Sequence, residues 1–258
     1  MDYIIQEHFN KILRKDENGI LSDFDKDLVS IIHADGISKT VTYHSSVQFL
    51  QRLIREIPFD RANDVHVLVN RCTPDYGVLS IHSKSFASFL TYTCIVKNGK
   101  ISYVTLYIFE PKRKVLPVID SKMEKGTQVK KVFHKHVRAM FTMSPDVITK
   151  DYTDSAVVIT NMAKNICNGK REIHTFCGVL MKSSWNIIKY IRIHGFPIIK
   201  WKTKSISGGV MLFVCEAKAM GTVMIETYFV KNGKIQFESS ICGGRILKSI
   251  RSAVSSQP

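Results

Sequence analysis

Several absences narrow the reading before any motif does. No apolar run approaches the roughly 18 residues of a membrane-spanning helix. The start, Met1-Asp2-Tyr3-Ile4-Ile5, has neither the basic stretch nor the long apolar core of a signal peptide. A cytoplasmic location with no membrane partner is therefore expected. The six cysteines, Cys72, Cys94, Cys167, Cys177, Cys215 and Cys242, contain no C-x-x-C pair. They read as buried reduced thiols, because a zinc site has no ligand spacing to support it. Neither a metal nor a cofactor is expected.

Acidic side chains are scarce in one half only. Residues 1–110 carry 12 Lys/Arg against 13 Asp/Glu, whereas residues 111–258 carry 25 against 9, so the net charge of +15 belongs to the connector and the second half. Such asymmetry suits an anionic partner, nucleic acid included, or simply a solvated basic face.

What the chain does have is one hexapeptide twice: Val96-Lys97-Asn98-Gly99-Lys100-Ile101 returns as Val230-Lys231-Asn232-Gly233-Lys234-Ile235, 134 positions on. Asn-Gly between apolar runs marks a two-residue hairpin turn, since a type I′ turn needs positive φ at both central residues. The same spacing pairs Leu53-Ile54 with Ile187-Ile188, Ile57 with Ile191, Ile32 with Ile166, Lys84 with Lys218 and Thr93 with Thr227. An ungapped repeat from about residue 20 to 110 is the expectation, with the hexapeptide lysines solvated at the hairpin tips.

Apolar periodicity predicts helices over residues 2–15, around Phe24–Ile32, and from Ser45 or Ser46 to Ile57, with Pro58 beyond the last. Strand alternation takes over at Val65 and runs through Val78–His82, Phe86–Val96 and Lys100–Phe109. The Pro/Lys-rich stretch 112–126 reads as a basic linker. A helix over 127–142, helices near Asp154–Cys167 and Met181–Ile193, and strands at Ile198–Ile206, Val210–Glu216, Met220–Val230 and Lys234–Cys242 repeat the plan. Pro145 forces the equivalence to slip near the first of these helices. The fold class is α+β: domains at 1–111 and 127–245, each about three helices on a curved antiparallel sheet, then a tail at 246–258.

Three helices before a meander, and the late Val-x-Asn-Gly-Lys-Ile hairpin closed in the first half by Tyr107-Ile108-Phe109-Glu110-Pro111, resemble the nuclear-transport-factor-2-like superfamily, in particular its SnoaL-like branch. The resemblance covers about residues 2–111 and 127–242 and implies two tandem cone-shaped domains, each enclosing a pocket. It also implies an intramolecular pseudo-dimer through the sheets, in a chain that needs no second copy. Relatives include isomerases, polyketide cyclases, epoxide hydrolases and non-catalytic binders, so a small, largely apolar or anionic ligand is the implied partner.

Catalytic members of that superfamily use a carboxylate or His base with an acid or oxyanion donor in an apolar pocket. Here the strands from 65 to 109 offer only Asp75, in a turn. The polar candidates for a pocket lining are His44, His82, Tyr92 and Tyr107 in the first half, and His174, Trp201, Glu216 and Glu226 in the second. Glu216 and Glu226 stand where His82 and Tyr92 stand, and a carboxylate inside an apolar strand is the most conspicuous substitution. The competing readings are a non-catalytic scaffold and, through Lys130-Lys131-Val132-Phe133-His134-Lys135-His136-Val137-Arg138, a nucleic-acid binder. If the basic half binds polyanions, retention on heparin at low salt falls steeply as salt rises; no retention at low salt dismisses that reading.

Overall fold

The computed structural model describes residues 4–34, 37–56, 65–83, 88–109, 127–194, 200–217 and 222–244. The chain divides into two units, Met1–Glu124 and Lys125–Pro258. The 112–126 linker and the 246–258 tail lie outside the described residues.

In the first unit α1 (Ile4–Leu13) and the single-turn α2 (Glu17–Leu21) precede β1 (Phe24–Ala34) and β2 (Ile37–Thr42). Then come α3 (Tyr43–Glu56), β3 (Val65–Cys72), β4 (Tyr76–Ser83), β5 (Ser88–Lys97) and β6 (Lys100–Phe109). The strands form one sheet in the order β2-β1-β6-β5-β4-β3. β3 to β6 make an antiparallel meander, while β1 runs parallel to β6, so the sheet is mixed rather than purely antiparallel. Helix α1 buries Ile5, Phe9 and Ile12 with Leu79, Ile81, Tyr92 and Val104 of the inward sheet face.

The second unit runs α4 (Thr127–Met140), α5 (Pro145–Thr149), β7 (Tyr152–Thr160), β8 (Cys167–Asn168), α6 (Gly169–His194), β9 (Lys200–Ser207), β10 (Val210–Ala217), β11 (Thr222–Lys231) and β12 (Lys234–Gly244). Its sheet has the corresponding order, β8-β7-β12-β11-β10-β9, again with one parallel pair, β7 with β12. The architecture is thus α+β with two mixed sheets and, among the described residues, six helices.

Further sequence expectations change. The stretches read as helices around Phe24–Ile32 and Asp154–Cys167 overlap the strands β1 and β7. Phe24, Leu28, Ile31 and Ile32 do fall at helical spacing, but both faces of the strand are covered around Ile31 and Ile32, and a doubly buried strand has no period of two to betray it. The ungapped offset of 134 also fails. It holds from β4 onward, but β1 and β7 differ by 128, so Ile32 matches Thr160 and not Ile166. The burial of the first nine residues of β1 and of the nine of β7 follows the same sequence along the strand.

The hairpins take the expected form, with Asn98 and Gly99 at φ 52° and 72° and Asn232 and Gly233 at 51° and 71°. The lysines after them are not merely solvated. Lys100 Nζ donates to the Ser22 carbonyl at 2.6 Å, and Lys234 Nζ donates to the Lys150 carbonyl. Beside them the amides of Ile101 and Ile235 donate to the carbonyls of Asp23 and Asp151 at 2.9 and 2.8 Å.

Close approach of α1 to the sheet depends on Gly77, where an added Cβ would lie 2.2 Å from Ile5 Cγ2 and 2.9 Å from Phe9 Cζ. Gly77→Ala is expected to lower stability by roughly 2 kcal/mol through overpacking. Gly99→Ala, with open space around it and φ +72°, costs only backbone strain of about 1 kcal/mol. Urea midpoints of the two variants check this, and a Gly77→Ala cost no larger than that of Gly99→Ala would refute it.

Candidate functional site

Each unit brings a histidine from its first helix against an aspartate that ends the following turn. In the first unit His8, fully buried, faces Asp23 Oδ2 through Nδ1 at 2.9 Å and Tyr92 Oη through Nε2 at 2.9 Å. Lys11 Nζ reaches the other Asp23 oxygen at 2.8 Å. Burial alone would push the Asp23 carboxyl up, yet His8 and Lys11 beside it hold it below the usual range. Burial lowers His8 against the pull of Asp23. Asp23 is thus ionised and accepts only, so His8 Nδ1 donates and Nε2 accepts from the Tyr92 hydroxyl, whose own pKa burial pushes well up. Every polar atom in this chain is matched, and Phe9 and Phe24 close over it.

The second unit starts from the same pair and then departs from it. His136 Nδ1 stands 3.4 Å from Asp151 Oδ2, beyond a good hydrogen bond, and Lys135 Nζ holds Asp151 Oδ1 at 2.7 Å. Burial raises the Asp151 carboxyl, but His136 and Lys135 outweigh it and leave it below the usual range. Where Phe24 packs edge-on to His8 at 5.1 Å, Tyr152 packs edge-on to His136 at 5.2 Å, and its hydroxyl donates to Glu238 Oε2. On the inward sheet face Val104, Leu106, Tyr92 and Cys94 give way to Glu238, Ser240, Glu226 and Tyr228 at the 134 offset.

Those replacements gather two carboxylates. In the β11–β12 ladder Glu226 is opposite Ser240 and Tyr228 is opposite Glu238. Tyr228 Oη donates to Glu226 Oε2 at 2.6 Å and Ser240 Oγ to Glu226 Oε1 at 3.4 Å. Glu226 and Glu238 are only 5% and 7% exposed. Burial, followed by repulsion from Glu238, pushes Glu226 up to about 7, against the Tyr228 and Ser240 hydrogen bonds and the His136 ring. Burial also raises Glu238, less the pull of His136, 3.9 Å away, and of Tyr152. Both tyrosines are pushed well above their ordinary range, first by burial and next by these carboxylates, so they act as neutral donors. Both acids are thus held toward their protonated forms. Next along β11 the inward side chain is Met224, only partly buried.

Among residues singled out from sequence, Tyr92 and Glu226 each lie inside their own unit as described. His44 is exposed and bonded to Gln48, and His82 is half-buried opposite Phe89. Tyr107 is buried and stacked on His33 at 5.4 Å, and His174 is half-buried and bonded to Asp146 at 2.9 Å. The side chains of Trp201 and Glu216 lie outside the described residues. His8, Asp23, His136, Asp151, Tyr152, Tyr228 and Glu238 were not singled out as site residues. Glu238 carried the same signal as Glu226, a carboxylate in an apolar strand. His136 stands four residues after Val132 and three after Phe133, within the apolar stripe of α4 rather than on its basic face.

No family model matches the chain, and no curated protein matches it. Similar solved structures exist. A steroid delta-isomerase from Pseudomonas aeruginosa is 9% identical, with a TM-score of 0.38, over 52% of this chain and 93% of its own. An LEH-like epoxide hydrolase from M. tuberculosis is 11% identical, with a TM-score of 0.33, over 51% and 92%. An NTF-2 like protein of unknown function from Burkholderia xenovorans is 12% identical, with a TM-score of 0.32, over 46% and 84%. The likeness concerns chain course alone, and the chemistry rests on the residues above.

Glu226 also sets the sign of a pH effect. Its folded pKa is raised, so its contribution to stability is present below the unfolded value near 4.5 and is lost as pH rises through about 7. His8 and Asp23, both lowered, act oppositely and favour the fold above their unfolded values. Glu226→Gln removes the ionisation. The stability gap in favour of the variant should widen by about 2 to 3 kcal/mol between pH 5 and pH 8. Denaturant titrations at both pH values check this, and a constant gap would refute it.

Proposed function

We propose that the interior of the second unit binds a small, largely apolar molecule and performs general acid–base chemistry on it without a cofactor, in the manner of an isomerase, cyclase or hydrolase. The observation that carries this reading is the buried Glu226–Glu238 pair. A fold that needed only packing would fill those positions as the first unit does, with Tyr92 and Val104. Burying two carboxylates that repel each other costs stability, and perturbed pairs of this kind characterise sites that move protons.

In this reading the pair shares a proton, the ionised member serves as base and the protonated one as acid, and Tyr228 and Tyr152 donate to developing negative charge. His136 lies between Asp151, which Lys135 holds, and Glu238, 3.9 Å from its Nε2. The same carboxylates make an anionic ligand the poorer choice of the two that the sequence left open. The first unit, whose Asp23–His8–Tyr92 chain is fully satisfied, serves as structural support.

A generic base probe tests this without knowledge of the natural substrate. 5-Nitrobenzisoxazole opens when a base removes its ring C–H proton. The full chain should open it with saturation and with a rate that rises with pH through about 7, as Glu226 ionises. Glu226→Gln should lower kcat at least ~100-fold, and the exposed His44→Ala should not change it. An unsaturable rate, or one equal in wild type and Glu226→Gln, would contradict the proposal.

A further inference from the structure

A run of cations in the second unit is left unused by the acid–base reading. Lys131, Lys135 and Arg138 follow one another at i, i+4 and i+7 along α4, so they form one stripe, with Lys130 and His134 beside it. All five are exposed. The charge continues beyond the helix. Gln128 adjoins the hairpin tip, since a Cβ added to Gly233 would lie 3.7 Å from its Nε2, and this brings exposed Lys231 to the start of the stripe. Lys135 Nζ holds Asp151 Oδ1 at 2.7 Å, which brings exposed Lys150 to its middle, and Lys234 Nζ donates to the Lys150 carbonyl.

Little opposes this charge. Among the described residues Lys130, Lys131, Arg138, Lys150 and Lys231 make no ion pair. The exposed acids described in the second unit are engaged elsewhere, Asp146 with His174 at 2.9 Å, Asp154 with Lys170 at 3.5 Å and Glu172 with the Asn168 amide at 2.8 Å. Asp151, the acid that touches the stripe, is buried and held by Lys135. The first unit supplies the comparison. Shifted by 128, the offset that places Asp151 on Asp23, the stripe falls on Tyr3, Glu7 and Asn10, and Glu7 pairs with Arg14 at 2.7 Å. The same helix therefore docks without a basic face, and like charges a turn apart only repel one another in the free protein.

The chemistry of the face selects its partner. Val129, Val132 and Ala139 of α4 are buried, as is Phe133, its sole Phe, Tyr or Trp, so the face offers cations without an apolar anchor. A surface for a folded protein has a desolvated apolar or aromatic centre, and a helix lying on a membrane inserts apolar side chains. Stacking on unpaired bases needs an exposed aromatic ring. What is left is charge complementary to regularly spaced phosphates. We infer that this face binds the phosphate backbone of double-stranded nucleic acid, independently of base sequence, on the outside of the second unit and apart from the acid pair within it.

Fluorescence anisotropy of labelled 20-base-pair duplexes with the full chain tests the inference, using DNA and RNA helices, each in two unrelated sequences. At least one helix type should bind at 50 mM salt, with its two sequences alike, and the comparison of DNA with RNA names the source. Affinity should fall about 100-fold between 50 and 200 mM salt, the response to about four phosphate contacts. Lys131→Glu/Arg138→Glu reverses two exposed cations that make no ion pair, and should weaken binding at least about tenfold at 0.1 M salt, where charges more than about 10 Å apart are screened. Lys26→Glu/Lys164→Glu makes the same change in net charge at exposed positions outside this face, and should change binding about twofold or less under the same screening. Equal losses in the two variants, or no binding of any duplex by wild type at 50 mM salt, overturns the inference. Polyglutamate or phosphatidylserine vesicles bound as tightly as the duplexes overturn the choice of partner.

Discussion

The tie between the late hairpin and an aspartate in the turn before the first strand organises each unit. The amide of Ile101 or Ile235 holds the carbonyl of Asp23 or Asp151, and the lysine before it holds the preceding carbonyl. With its backbone fixed at both neighbours, each aspartate presents its carboxylate to a histidine brought in by the first helix. A buried carboxylate is tolerable only when it is matched. The same contact therefore docks the helix, sets the start of the parallel strand and orients a ring toward the inward sheet face.

From this common base the two interiors diverge in a way that stability alone does not account for. In the first unit the histidine ends in Tyr92 and the face beyond it is Val104 and Leu106, so the polar chain is short and complete. In the second the histidine sits looser against its aspartate, Tyr152 adds a hydroxyl where Phe24 has none, and Glu226 and Glu238 replace an aromatic and a valine. Each change adds a group whose charged form burial disfavours. Perturbed groups of this kind cluster at functional sites.

Much of the frame could be read from the chain. The repeated hexapeptide placed both hairpins, and alternation placed β3 to β6 and β9 to β12, because those strands each keep a regular turn at one end. β1 and β7 were not legible, since a strand covered on both faces shows a continuous apolar run whose spacing also fits a helix. Of the site, Glu226 stood out because a carboxylate interrupts an apolar strand, and Glu238 gave the same signal beside it. His8 with Asp23 and His136 with Asp151 could not be paired from spacing, because nothing in a sequence separation of 15 residues says that a helix will cross the start of a strand.

The state of the Glu226–Glu238 pair is the central physical claim, and carboxyl carbon NMR of the two side chains through a pH titration of the full chain addresses it most directly. The account predicts that Glu226 titrates near 7 and moves down when Glu238 is replaced by Gln, because part of its shift is repulsion from that neighbour. Two independent titrations in the ordinary range for glutamate, unaffected by the replacement, would contradict it.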